Sequence, residues 1–364
     1  MNPALRVIAP GLLTTVQDLG RPGFQHLGIP PSGALDPMSL RAANALVGNS
    51  PGTGALEVAY VGPTLAIEAD SVRISIVGGE APIEILSEEA AFVSARLQTK
   101  RSVRLRRGDV LRIGSLSDAT VLYLAVEGGF DVPPVLGSVS TYIRGGFGGL
   151  NGRALVTGDR LRLRRDNASE RIECRLDGLD LSPPPQFRVI AGPQCDYFSD
   201  RAMARFFDSE YAVGAGSDRM GMRLDGRQVD HLRGFNITSD GIAPGSIQVP
   251  GDGKPIVLLA DRQTTGGYPK IATVISADLP ALGRLPIGAK LAFEPVTLEV
   301  AEAARRKLYD EIGGLCDRIV PLAATSAEIN TRLLDCNLIS GVADARGPAT
   351  WDGVGYERAE RAAS

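Results

Sequence analysis

The sequence predicts a mainly β protein in which one β unit occurs twice along the chain. Three observations carry that expectation. Glycine occurs 43 times and proline 24 times in 364 residues while aromatics make up only 5%, a balance that favours short strands and tight turns over long helices. Short β-branched runs between Ala55 and Leu163, such as SVRISIV, RSVRLRRGDVLRIG and TVLYLAV, are separated by Gly-Gly or Gly-Asp turns. Finally, VLYLAVEGGFDVPPVLGS followed by GRALVTGDRLRL parallels IVLLADRQTTGGYPKIATV followed by GRLPIGAKLAF. Each runs from an apolar strand through a Gly-Gly turn to a second strand. A Gly-Arg element, a Gly turn and a closing strand follow, the signature of an internal duplication.

Taken in order, the chain opens on a short strand-like segment. Asp36-Pro37 then introduces MSLRAANALVG, a helix with Asp36 as N-cap, Pro37 at the first helical position and Gly48 as its stop. Strands follow to about Leu163. Residues 164–186 are charged and end in three consecutive prolines, which hold chain stiff and extended, so a domain junction is expected there. The first domain is placed at 1–175 and the second at 187–297. The second opens at Phe187, forms a helix from Ser199 to about Ser209 and continues in Gly-rich strands to about Val296, one of them spanning Ile256 to Ala260. An extension, 298–364, starts with a helix over 298–315 that a Gly-Gly pair ends. Thr325 to Glu328 is a capping-box start for another helix, and beyond Gly347 the tail is polar.

Several function classes are excluded at this level. Acidic residues number 42 against 39 basic ones, so there is no surplus of positive charge to neutralise a phosphate backbone, and nucleic acid is not an expected partner. No segment has the eighteen-residue apolar length of a membrane span, and the N-terminus lacks a signal-peptide core, so a cytoplasmic, membrane-free protein is expected. Cys174, Cys195, Cys316 and Cys336 form no CxxC pair and read as small buried hydrophobes. With His26 and His231 as the only histidines, a three-histidine metal site is impossible. There is no GxSxG nucleophile elbow, and GDGKP at 251–255 lacks the glycine spacing and the Ser/Thr of a phosphate loop. GGFGGLNG at 145–152 does not fit a dinucleotide fingerprint and reads as a hairpin or flap.

Three polar, glycine-rich stretches remain as candidates, because glycine lets backbone approach a ligand and clustered polar side chains need a reason to be held together. The first, residues 14–36, carries Gln17, Asp18, Arg21, Gln25, His26, Ser32 and Asp36. Its bland reading is an Asp18–Arg21 ion pair, a turn at Ser32 and a helix cap at Asp36. The second, GSDRMGMRLDG at 216–226, offers Arg219 and Arg223, whose forked guanidinium groups match carboxylate or phosphate oxygens, unless they simply pair with Asp218 and Asp225. The third, residues 239–270, includes Asp240 and Gln248, then delivers Asp261, Arg262 and Gln263 from a strand end into a Gly-Gly turn followed by Tyr268 and Lys270. Lysine occurs only at 100, 254, 270, 290 and 307 among 39 basic residues, which draws attention to Lys270.

The segments GLLTTVQDLGRPGFQHLGIPPSGALD, GPQCDYF, DRMGMRL and SDGIAPGSIQVPGDGKPIVLLADRQTTGGYPKIATVISADLPALG together make the chain similar to a known family. It is called allophanate hydrolase subunit 2, or the biotin-dependent carboxyltransferase family, and the resemblance runs from about Gly11 to Phe293. That family includes the C subunit of bacterial 5-oxoprolinase, the KipA regulators and the second half of the carboxyltransferase domain of urea carboxylase. Its fold is a pair of cyclophilin-like β-barrels, in keeping with the duplication. One departure is Gly283-Arg284, where the family pattern has Gly-Gln.

What the resemblance implies is narrower than the family. No lysine sits in the Ala-Met-Lys-Met-like turn of a biotin carrier, so no biotin is expected on this chain. A free-standing chain of this half looks like an oxoprolinase C subunit. Such a protein works with a KipI-like B subunit and with an A subunit to open 5-oxo-L-proline to L-glutamate. The reaction is coupled to ATP, whose site among the three chains the resemblance leaves open. Carboxyl transfer with a separate biotin carrier, or KipA-like binding of a kinase inhibitor, are the alternatives. For a lactam, the chemistry asks for a carboxylate grip, polarisation of an amide oxygen and a proton for the leaving nitrogen. Arg219 or Arg21 is expected to grip the carboxylate and Gln248 and Gln263 to bond the amide. Ser32 and Tyr268 would line the site, and Asp261, Lys270 or Asp240 would handle protons.

Overall fold

Strand Val121–Val126 shows how the first half is assembled: every residue along it is buried. The two-residue period of a strand sends Leu122, Leu124 and Val126 into one core and Val121, Tyr123 and Ala125 into another. Such an uninterrupted apolar run needs cover on both faces, and it has it. The computed structural model describes residues 2–87 and 93–322, and Met1–Pro321 forms one compact unit.

On the inner side of that strand, two sheets face each other across a core of Leu, Ile and Val side chains. One sheet has six strands in the order Arg160–Arg162, Ala4–Ala9, Thr64–Ile67, Asp109–Ile113, Ile83–Ser87 and Val93–Leu97. The other has seven, in the order Leu13–Gln17, Ala55–Ala59, Val121–Val126, Ser71–Gly78, Arg101–Arg106, Cys174–Leu176 and Ile319–Pro321. On the outer side lies helix α1, Pro37–Leu46, whose Leu40, Ala42, Ala43 and Leu46 pack against Tyr123 and Ala125. Asp36 caps it as expected, accepting from the amides of Met38 and Ser39, and Gly48 follows the helix end with φ +72°.

Besides a two-stranded pair, Asp240–Gly241 with Thr265–Gly266, the second half is one eight-stranded sheet. Its order is Lys290–Leu291, Tyr211–Val213, Gly221–Asp225, Ile256–Leu258, Ser246–Gln248, Lys270–Val274, Phe187–Ala191 and Phe293–Pro295. The first and last strands of that order are neighbours in sequence. Residues 290–291 pair antiparallel with Tyr211–Val213, and 293–295 pair parallel with Phe187–Ala191, so this one stretch closes the sheet into a barrel. Helix α2, Asp200–Phe207, plugs the barrel with Ala202 and Phe206, and Phe206 stacks on Phe293 at 5.1 Å. Ser199 accepts from the Ala202 amide as the N-cap. Replacing Ser199 by alanine is expected to cost about 1 kcal/mol of stability, read as a lower denaturant midpoint at unchanged slope.

The mainly β fold with few helices agrees with the sequence reading, but three details differ. The repeated pattern is not repeated strand for strand. After Val126 the first half has no counterpart of Lys270–Val274 and runs irregularly from Glu127 to Asp159, while Gly283-Arg284 ends a short helix α3, Leu279–Arg284. Within that irregular run, GGFGGLNG does form the expected hairpin turn, Tyr142 and Phe147 exchanging backbone bonds of 2.9 and 3.4 Å. The described cysteines are not the buried hydrophobes expected: Cys174 and Cys195 are half-buried and Cys316 is exposed. Cys336, the helix expected from Thr325 and the tail beyond Gly347 lie outside the described residues.

Helix α4, Leu298–Gly313, is capped by Thr297 and sets Leu308 and Ile312 against the α1 core. The chain then pairs Ile319–Pro321 with Cys174–Leu176 at the edge of the seven-stranded sheet. The two β assemblies meet at α3. Thr120 donates from its amide to Arg284 O at 2.7 Å and from its hydroxyl to Leu285 O at 2.6 Å, and Arg284 donates to Asp36 Oδ2 at 2.5 Å. Gly283 admits this approach because a Cβ there would collide with the carbonyl of Leu35.

Candidate active site

The expected site residues fall into three neighbourhoods. The first is built where the loop before strand Gly221–Asp225 meets the end of strand Ile256–Leu258, the Asp261 amide donating to Arg219 O at 2.9 Å. Arg219 donates from Nε to Asp261 Oδ2 at 2.9 Å, from Nη2 to Asp261 Oδ1 at 3.3 Å and to Gly33 O at 2.6 Å, and from Nη1 to Glu57 Oε1. Glu57 Oε2 in turn accepts from Tyr123 OH at 2.5 Å and from the Leu35 amide at 2.9 Å. Burial by itself would lower the Arg219 pKa; the Glu57 and Asp261 carboxylates more than offset it and hold the guanidinium above its ordinary value. Burial, then the Glu57 charge, pushes the Tyr123 phenol up, so it serves as a donor.

Every nitrogen of Arg219 is therefore engaged by the protein's own acceptors. That geometry corrects two expectations, a carboxylate grip by Arg219 and its pairing with Asp218. Asp218 instead accepts from the amides of Met220 and Gly221, and Asp225 takes Lys254 at 3.2 Å. A mostly apolar cavity of about 110 Å³ lies against the Glu57–Arg219 pair, walled by Leu13, Leu35, Val213, Met222 and Leu259.

The second neighbourhood is the rim of the second barrel. Lys270, the one buried lysine of the five, donates to Asp240 Oδ2 at 2.7 Å and Gly241 O at 3.3 Å. The Lys270 ammonium, helped by the Gly241 amide, holds the exposed Asp240 carboxyl below the usual carboxylate range. Gln194 bridges the pair, its Nε2 donating to Asp240 at 3.4 Å and its Oε1 accepting from the Lys270 amide at 3.3 Å. Gln248 is the cross-strand partner of Lys270, and its Oε1 accepts from Gln263 Nε2 at 3.3 Å. Its own Nε2 is buried without a partner. Tyr268, 40% exposed, stands on the turn just before Lys270.

The third lies on the loop after strand Leu13–Gln17. The expected Asp18–Arg21 ion pair does not form. Asp18 accepts from the hydroxyls of Ser138 and Ser140 at 2.6 and 2.5 Å and from the amides of Gly20 and Val139. Arg21, 1% exposed, donates to Ser140 O and Val135 O, and its guanidinium sits 5.0 Å from the Phe147 ring centre. Burial lowers its pKa, an effect that the charges of Asp18 and Asp261 only partly oppose. Arg21 Nη1, Ser32 Oγ and Gln17 Oε1 are all buried with no partner, and Ser32 holds a left-handed φ of +54°.

Residues 27–295 match the family described as "Carboxyltransferase domain, subdomain A and B". The chain belongs to this family. Among curated proteins it is 39% identical to the 5-oxoprolinase C subunit of Escherichia coli (strain K12) over 83% of this chain and 94% of that one. It is 37% identical to the 5-oxoprolinase C subunit of Haemophilus influenzae over 80% and 91% of the two chains. Among solved structures, the K. lactis urea amidolyase superposes with a TM-score of 0.77 at 28% identity, covering 89% of this chain but only 21% of that one.

For this carboxyltransferase-family chain, the structure brings Asp240, Lys270, Gln248 and Gln263 together, and Asp261 with Arg219, but joins no Asp261 side-chain bond to Lys270. Sequence reasoning passed over Glu57, Tyr123 and Gln194, and met Arg284 only as a departure from the family pattern. A lone carboxylate in the otherwise apolar strand ALEVA was the available signal for Glu57, since a buried acid needs a partner. His231 has a structural place, its Nε2 2.9 Å from Val249 O and its ring tilted against Phe198.

Proposed function

We propose that this chain is the C subunit of an ATP-dependent 5-oxoprolinase, opening 5-oxo-L-proline to L-glutamate in assembly with a KipI-like B subunit and an A subunit. The observation that carries the reading is the share of each relative that the chain covers. The chain accounts for 94% and 91% of the two 5-oxoprolinase C subunits it resembles, against 21% of the urea amidolyase.

The chemistry of the rim suits an unreactive lactam. Amide resonance makes the carbonyl a poor electrophile, so the residues must orient the ring and move a proton to the leaving nitrogen. Lys270 is the donor in this reading, steered by Asp240, whose carboxyl is an anion at neutral pH. The free Nε2 of Gln248 faces the amide oxygen, Gln263 fixes that amide's orientation, and Tyr268 borders the entrance. Arg21 and Ser32, with donors left open, grip the substrate carboxylate. Asp261 and Arg219 act as positioning residues, fixing the loop between the two halves.

ATP is the co-substrate of the assembled enzyme, and no residue of this chain is assigned to it. GDGKP offers no phosphate cradle, since Lys254 is turned onto Asp225. Nor does Lys270, buried in an ion pair, suit a carrier lysine. Reconstitution tests the reading: purified A, B and C subunits with 5-oxoproline and ATP are expected to yield glutamate only when this chain is included. Equal glutamate without it removes the assignment. Gly266→Ala tests the rim more finely. A Cβ there would lie 2.6 Å from Gln248 Nε2 and 2.7 Å from Ile242 Cδ1, both flexible side-chain ends, so the fold should tolerate it while the amide is displaced. A roughly tenfold rise in KM, equivalent to one lost hydrogen bond, is expected with a near-normal melting temperature.

A further inference from the structure

Six cationic side chains are buried among the described residues: Arg21, Arg73, Arg219, Arg262, Lys270 and Arg284. Four have carboxylate partners, Arg73 in Glu127 and Glu173, Arg219 in Glu57 and Asp261, Lys270 in Asp240, and Arg284 in Asp36. Arg21 lacks a direct one but lies within the fields of Asp18 and Asp261. Arg262 has neither. It is 4% exposed, and its guanidinium meets only two backbone carbonyls, Ile242 O through Nε and Leu259 O through Nη1, both at 3.2 Å. Nη2 makes no hydrogen bond to a described residue. Burial alone acts on it, lowering its pKa to about 10, so the group stays charged at neutral pH. A buried charge with no counter-charge is costly, and a fold that pairs four of its other five buried cations with carboxylates retains this one.

We infer that Arg262 is the receptor of a small oxyanion, bound through Nη2 beside the segment Asp240–Ile242, whose first two residues hold Lys270. Size follows from burial: with so little surface open, a partner protein's carboxylate could not reach the guanidinium, whereas a free anion could. The two carbonyl bonds fix the plane of the fork and leave one donor edge for the ligand. Carboxylate and phosphate oxygens both match that edge, but phosphate, with roughly two charges at neutral pH, is held more strongly by a cation that has no counter-charge. The choice of phosphate also rests on the function proposed above, because a reaction coupled to ATP carries a phosphoryl group as well as the substrate's carboxylate, and Arg21 is given the latter.

The test uses the isolated full-length chain, so it is independent of turnover. Its melting temperature is followed against inorganic phosphate, acetate and chloride at matched ionic strength. A saturable rise with phosphate, larger than with acetate, is expected for the wild-type chain and for R223Q, which removes an exposed arginine. R262M should lose the phosphate-dependent rise, and R262K, a charge without the fork, should bind phosphate at least tenfold more weakly by calorimetry. No saturable phosphate response, an acetate response as large, or a response retained in R262M overturns the inference. Should R262M not fold, equal phosphate affinity in R262K and wild type does so. Phosphate binding without glutamate formation by the reconstituted complex would leave the anion site standing and remove the oxoprolinase reading instead.

Discussion

Arg219→Met is expected to lower the unfolding free energy by about 3–5 kcal/mol, the cost of removing one partner from a buried, hydrogen-bonded charge network. The substitution strands two carboxylates at once. Glu57 and Asp261, 3% and 5% exposed, would face each other without the guanidinium that neutralises both, and the Gly33 carbonyl would lose its donor. Because the network joins a strand of the first half to a strand end of the second, the loss should appear as a lower midpoint for the whole unit in urea. A change below about 1 kcal/mol, the range of a surface ion pair, would show that the network does not bind the halves together.

Lys270→Ala has the opposite profile. Turnover by the reconstituted complex is expected to fall by about 10²–10⁴-fold, the range a positioned proton donor contributes, while the melting temperature changes little. The contrast follows from the partners' exposure. Asp240 is half exposed, so water can solvate its carboxylate once the ammonium is gone, whereas Glu57 and Asp261 have no such recourse. Near-normal turnover would remove Lys270 from the chemistry. Asp261→Ala distinguishes positioning from proton transfer: it should lower stability and turnover together without altering the shape of the pH profile.

The local rules of the chain explain which parts were legible. Asp36-Pro37 and Ser199 each mark a helix start because the cap depends on one or two adjacent residues. Strand Val121–Val126 was readable for the same reason, its burial on both faces being written as an unbroken apolar run. Helix α3 was not, since its six residues, one proline and one glycine among them, carry no periodicity and are held by packing against Leu35. The glycine-rich stretches supplied the candidate residues, yet the partners those residues take came from elsewhere. Asp18 turned to Ser138 and Ser140, some 120 positions away, and Arg219 to Glu57, 162 positions away.

By itself the sequence determined the mainly β class, the helix boundaries set by caps, the family and the polar stretches from which a site could be drawn. The tertiary structure alone decided which arginine is spent on the protein's own carboxylates and which keeps a donor open. The reason is physical: composition and local spacing fix backbone preference, but the fate of a buried charge depends on the acceptors within about 4 Å of it, and those are chosen by closure of the sheets.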